Sequence, residues 1–420
     1  MLTRRALIQG GVAAASLATL PGCSHGQGGN TDGSLERIAR SLRDYDAQGW
    51  HRTGSEVDAR SAEWLADEVR SRGLEVSLEP FELARIDPLE AFLEIDGERV
   101  DGLPIFDGGT TDADGISGTL GSLTSGAEIP WVAQPSVADQ LHAVATSKVP
   151  MQSQLAEARG SGRYRAVVTF PARGKGVLAN NAPRFPTTSG PAVLQIDGAK
   201  REWVREHGRR GRYGRVVASV RRTPTRAFNV VAHAPGRNPE AAPIIVMTPR
   251  SGWWRCAAER SGGIAIWLEL MASLRSHTPM RNILFLASSG HELGFLGLSD
   301  FLGQRSNLIR DAFLWLHLGS SIGAAKGASL LCAASDSGLQ QSAVHAFAAS
   351  AAVQPVLIPP GQPAFGEVDR IQHGGGRYLS VMGGNALFHL NSDRGPDAVS
   401  IKETSRYAWA FSQLLSTMGS

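Results

Sequence analysis

Cysteine is nearly missing from this chain. Three residues in 420 exclude a fold framed by disulfides. An excess of one charge is missing too: 42 basic and 39 acidic side chains leave a formal net charge of +3. Without residues 1–22 the balance is 40 against 39, which argues against nucleic acid or a polybasic membrane contact as the main partner. Long apolar runs are confined to residues 6–20, at the start of the chain. No Gly-x-Ser-x-Gly elbow follows a strand-like run, so a serine hydrolase is only a minor alternative. There is no internal repeat. What remains is a hydrophobic content of 42%, that of a soluble globular protein with length enough for one large core and an insert.

The start of the chain has the layout of an export signal. Thr3-Arg4-Arg5-Ala6-Leu7-Ile8 opens a twin-arginine-like segment, and a short apolar stretch follows. Leu20-Pro21-Gly22-Cys23 resembles a lipoprotein processing site, which makes Cys23 the expected lipidation residue and membrane anchor. A plain signal cleaved near the same place is the alternative. The expected location is periplasmic, free or lipid-anchored. In that compartment Cys256 and Cys332 either pair or stay as buried thiols.

The chain divides by texture into four parts. Residues 1–22 form the signal, and 23–34 a polar, glycine-rich tether. Residues 35–84 and 223–420 form an α/β domain, interrupted by a glycine-rich, strand-rich insert at 85–222. Apolar spacing predicts helices over 35–45 and 59–71, and Leu74–Phe81 alternates as a strand. Within the insert, strand-like runs fall at 91–95, 165–170, 192–196 and 215–220. Beyond it, 228–232, 243–247, 283–287, 313–318, 330–333 and 386–389 read as strands. Helices follow Gly262-Gly263 and span 402–418. Strands separated by helices of this length call for a mostly parallel sheet flanked by helices.

The segment Ile283-Leu-Phe-Leu-Ala-Ser-Ser-Gly-His291-Glu292-Leu-Gly-Phe-Leu-Gly297 carries the most information. An apolar strand ends in a His-Glu pair, at the strand end where open α/β sheets collect their chemistry. The segment resembles the Gly-Glu-Glu-Leu-Gly-Leu-x-Gly signature of the zinc aminopeptidase and glutaminyl cyclase family, with His291 in place of the first Glu. Other family motifs fall in order on Thr248-Pro249-Arg250-Ser251, on Cys256-Ala-Ala-Glu259-Arg260-Ser-Gly-Gly263, on Leu314-Trp-Leu-His317 and on Phe388-His389-Leu-Asn-Ser-Asp393. His51-Arg-Thr-Gly-Ser55 is similar to the family's opening segment. The insert resembles a protease-associated domain in position and texture.

The resemblance implies a zinc aminopeptidase-like fold with a remodelled site. The first zinc loses its ligands at Thr248 and His317. The second keeps Glu259, Glu292 and His389, a donor set suited to one catalytic zinc ion. His291 then stands where the general base belongs, with His317 as a second candidate. Arg250 is placed to clamp a carboxylate or oxyanion, while Ser251, Trp253 and Phe388 lie where substrate contacts would be. The implied function is single-zinc hydrolysis or acyl transfer on a peptide or amide. The alternative is a catalytically inactive domain that binds a peptide or a protein partner, as the transferrin-receptor ectodomain does in this fold family. Taken singly, His291 with Glu292 also reads as a strand-end ion pair, His317 as a core histidine and Trp253 as packing.

Overall fold

Two long strands organise the molecule. Glu75–Ile95 and Tyr213–Ala234 pair antiparallel from Glu75 opposite His233 to Ile95 opposite Gly214, with a register shift only between Pro88 and Glu90. The computed structural model describes residues 28–136, 139, 153–275 and 278–419. Arg4, Arg5 and Cys23 lie outside them, so the expected signal and lipid anchor have no structural counterpart here. Among the described residues no helix is long and apolar enough to cross a membrane.

The strands form one sheet of thirteen. At its centre Ile283–Ser288, Ile244–Pro249, Leu314–Leu318 and Tyr378–Gly384 lie side by side, all parallel. Their side chains are almost all buried on both faces, which is why they read as unbroken apolar runs rather than alternating ones. The helix Gly262–Ser273 covers this centre and is itself buried through its first ten residues. It packs so closely that a Cβ at Gly262 would lie 1.8 Å from the Ile322 carbonyl oxygen. The helices Glu56–Ser71 and Ile401–Gly419 also pack into the main core. Ser55 caps the former by accepting from the Asp58 N–H.

The insert builds its own β-rich layer. Ile116–Ser122, Ile129–Gln134, Ala166–Pro171 and Ala192–Ile196 run parallel to one another, and Glu98–Pro104 joins antiparallel. They enclose a separate core of Leu93, Leu120, Ile129, Val168, Leu194 and Val216.

Three expectations need correction. The run 386–389 is a turn held by Leu387 N–H on Asn385 Oδ1 (2.7 Å), and the neighbouring strand is Tyr378–Gly384. The first helix starts at Gly28, inside the expected tether. Strands expected apart at 74–81 and 91–95, and at 215–220 and 228–232, are continuous because they pair with each other across the domain boundary. Cys256 and Cys332 are buried free thiols.

Candidate functional site

The strand ends at the carboxyl edge of the parallel sheet bring the motif residues together. After Ser288 the chain turns through Gly290 (φ 83°), where a Cβ would come 2.8 Å from that of Leu296. His291 and Glu292 then sit in a single tight turn. After Pro249 the chain passes Arg250 and Ser251, and Glu259 with Arg260 lies in the widened first turn of the central helix. His317 lies in the strand Leu314–Leu318, and His389 in the turn that closes the site.

Two polar networks result. In the first, Glu292 Oε1 accepts from Thr53 N–H (2.8 Å) and Thr53 Oγ1 (2.7 Å), and Oε2 accepts from Ser251 Oγ (2.8 Å). Ser251 Oγ in turn accepts from Gly290 N–H at 2.9 Å. Behind it the Arg250 guanidinium pairs with Asp58 at 2.8 Å, both side chains fully buried, and donates to the Phe228 carbonyl. Asp58 also accepts from Ser289 Oγ and Gly54 N–H. Burial raises the Glu292 and Asp58 carboxyls, against the hydrogen bonds and, for Asp58, the Arg250 charge.

The second network holds Glu259, Arg260, His291, His317, His389 and Glu367. Arg260 Nη2 lies 2.7 Å from Glu259 Oε1, and His389 Nε2 lies 3.5 Å from the same oxygen. Arg260 Nε donates to the Ser251 carbonyl, yet its terminal nitrogens make no aligned hydrogen bond despite the close carboxylate. His291 Nδ1 lies 3.5 Å from Glu367 Oε1, and that carboxylate accepts from Ser288 Oγ. Burial pushes His291 and His389 below the usual histidine range, and the Arg260 charge adds to it. His317, beside Ser380 Oγ at 2.8 Å, is pushed down to about 4 by burial. Burial alone would raise Glu259, but Arg260 and the neighbouring histidines hold it below the carboxylate range. Asp393 accepts from the Ala258 and Glu259 N–H groups, and burial pushes it up to about 7.

The expected roles sort accordingly. Glu259 and His389 do come together. Glu292 does not join them as a ligand, because both its oxygens are held by Thr53 and Ser251. Among the described residues no group of three or more His, Cys, Asp or Glu side chains is arranged to hold a metal ion. A zinc needs three or four donors about 2 Å from one point; here a buried guanidinium holds the carboxylate that would bridge it, so the residues present do not fit the ion. Arg250, expected as a substrate clamp, has its terminal nitrogens on Asp58 and on the Asp58 and Phe228 carbonyls, while its Nε makes no hydrogen bond. Ser251, expected among the substrate contacts, is fully buried and donates to Glu292 Oε2. Trp253 packs edge-on against Phe106 and donates to Asn181 Oδ1, so it anchors the insert. Phe388 packs beside the His389 ring.

The insert roofs the site. Ala179 N–H donates to the His389 carbonyl (3.0 Å) and Ala182 N–H to that of Glu292 (2.8 Å). Beside this roof an open cleft of about 450 Å³ is lined by Trp50, Arg52, Asp87, Leu103, Val177 and Trp254. Trp254 links cleft to site by donating to the His389 carbonyl. Sequence reasoning missed Glu367, which no motif flags, and gave Arg260 no role.

Solved structures with this arrangement of strands and helices are known. A zinc aminopeptidase from Bacillus subtilis superposes with a TM-score of 0.71 at 14% identity, covering 92% of this chain and 95% of that one. The fold is that of the zinc aminopeptidases. A peptidase M28 precursor from Shewanella amazonensis matches at a TM-score of 0.68 and 14% identity, over 93% and 96% of the two chains. An aminopeptidase from an Aneurinibacillus strain matches at 0.63 and 16% identity, over 92% and 94%. No family model matches the sequence, and no curated protein matches it. The aminopeptidase fold, read from motif order, is therefore supported by three-dimensional similarity at low identity.

Proposed function

We propose that this protein is a metal-free member of the aminopeptidase fold that binds a peptide or a protein segment without cleaving it. The observation that carries the reading is the Arg260–Glu259 contact of 2.7 Å, buried at 1% exposure on both sides. It places a fixed cation on the carboxylate that would otherwise bridge metals. The flanking cleft, with Trp50 and Trp254 for apolar groups and Arg52 and Asp87 for polar ones, supports a peptide as the class of ligand. Its roof is a protease-associated-like insert in this reading, and the protein is exported and lipid-anchored through Cys23.

Single-zinc hydrolysis is the second reading, favoured by the 3.5 Å approach of His389 to Glu259. Elemental analysis of protein purified without chelator separates the two, run beside an aminopeptidase assay with and without added zinc. Less than a tenth of a zinc per chain and no turnover is the expected result. One zinc per chain, displaced by Glu259→Ala and restoring peptide hydrolysis when added back, overturns the binding-module reading. For the anchor, Cys23→Ala is expected to move the protein from the membrane to the soluble periplasmic fraction, and unchanged fractionation refutes it.

A further inference from the structure

Buried polar atoms in folded proteins find partners, and those that do not call for water, an ion or a ligand. Among the described residues ten buried side-chain polar atoms lack a hydrogen bond, and six of them belong to this one cluster: Glu259 Oε2, both terminal nitrogens of Arg260, His291 Nδ1, His317 Nε2 and His389 Nε2. Five of the six are nitrogens. The two of Arg260 always donate, and each imidazole nitrogen donates in one of its two tautomers. The histidines all lie within electrostatic reach of Arg260, and His291 within that of His389.

We propose that this cluster binds a carboxylate group, with the Arg260 guanidinium as its fixed counter-charge and the histidines as neutral donors around it. The proposal rests on the metal-free reading and gives that site its ligand chemistry. Nη1 and Nη2 of Arg260 make no aligned hydrogen bond, although Nη2 stands 2.7 Å from Glu259 Oε1 in an ion pair, and a guanidinium matches the fork of a carboxylate better than any other small group. Two acids belong to the same cluster. Glu259 occupies one side of the guanidinium, and its unpartnered Oε2 is left for a donor on the ligand. Glu367 is held by Ser288 and lifted by burial above its usual range, which weakens its repulsion of an anion. The side chains of His291 and His389 keep 10% and 7% of their surface open to solvent. No motif residue outside the cluster offers a comparable set: the Thr53–Ser251–Glu292 network already closes on itself.

Two sources present this chemistry, a free small carboxylate and the carboxyl terminus of a peptide. The test titrates full-length protein by calorimetry and thermal shift with sodium acetate, with an N-acetyl dipeptide acid and with the corresponding dipeptide amide, each against sodium chloride at equal ionic strength. Expected are saturable binding of the peptide acid or of acetate and at least tenfold weaker binding of the amide. Arg260→Lys is expected to retain the fold and weaken the carboxylate at least tenfold, because one ammonium cannot reproduce the fork. Glu259→Gln/Arg260→Gln, which removes both charges and leaves neither buried alone, is expected to abolish binding. Tighter binding of the peptide acid than of acetate assigns the site to a chain end, and the reverse to a free carboxylate. Equal binding of acid and amide, or saturable binding undiminished in both variants, overturns the proposal. Protein that is zinc-free and titrates with neither carboxylate refutes the ligand while leaving the metal-free reading intact. Stoichiometric zinc refutes that reading itself.

Discussion

The two polar networks under the insert's roof have similar burial and opposite chemistry. Around Thr53, Ser251, Glu292, Asp58 and Arg250, both carboxylates have donors on each oxygen, and a single nitrogen, Arg250 Nε, is left unmatched. Around Arg260, His291, His317 and His389, four adjoining side chains leave nitrogens unmatched. Satisfied buried networks rigidify a fold, and incomplete ones are costly unless something else completes them. The first network is architecture: it ties the segment at 51–58 to the strand ends at 250 and 290. The second leaves one carboxylate oxygen and several buried nitrogens without partners, and the proposed carboxylate would supply acceptors for the nitrogens.

This contrast is sharpest under mutation. Asp58→Ala leaves the Arg250 guanidinium fully buried with no counter-charge, and is expected to destabilise the fold by about 3–5 kcal/mol, measured by urea unfolding. A loss under 1 kcal/mol would place Asp58 outside the architecture. Acid is the next largest lever, acting on the second network. His317 is neutral when folded, with its pKa pushed down to about 4 by burial, whereas the unfolded histidine protonates near 6.5. Its contribution is complete above pH 6.5 and is lost as pH falls from there towards 4, on the order of 3 kcal/mol. Asp393, pushed up to about 7, acts in the opposite sense: its contribution is present at low pH and fades as pH rises towards 7. The difference between wild type and His317→Gln across that window isolates the histidine, and parallel pH profiles would refute its buried neutral state.

Thr53→Val removes one donor from Glu292 and the acceptor of Gly290 N–H. It is expected to destabilise by about 1–3 kcal/mol, again by urea unfolding. Smallest of all is His291→Ala. Its Nδ1 has no partner to lose, so the change is expected within about 1 kcal/mol. A loss as large as that of Asp58→Ala would erase the distinction between the networks.

The parallel core was legible because its strands, covered on both faces, must be apolar throughout; Ile283–Ser288 and Ile244–Pro249 announce themselves. Motif order then pointed to the fold class, while the strand order and the antiparallel pairings around the parallel centre were not read from it. The strands Glu98–Pro104 and Ile116–Ser122 were not legible, since they are polar or glycine-rich and are held by their partners. At 386–389 the apolar Ala-Leu-Phe run suggested a strand, but Asn385 folds it into a turn. The site was legible as a set of positions and not as contacts. Thr53 and Glu292 are 239 residues apart, and no local pattern says that Thr53 will take both donors to one oxygen. Nor does spacing reveal that Arg260 turns back onto the residue before it and takes the place of a ligand shell.

The paired strands that enter and leave the insert bear on how anything reaches the site. Their ladder runs without a break past the expected boundaries of the insert, apart from the shift between Pro88 and Glu90. Swinging it aside would mean shearing backbone hydrogen bonds; the one weak point is the register shift between Pro88 and Glu90. Against that, the roof over His389 and Glu292 is fastened by the backbone bonds of Ala179 and Ala182 and by the Asn181 contact to Trp253. Loosening the roof would break these few contacts and would leave the long ladder intact.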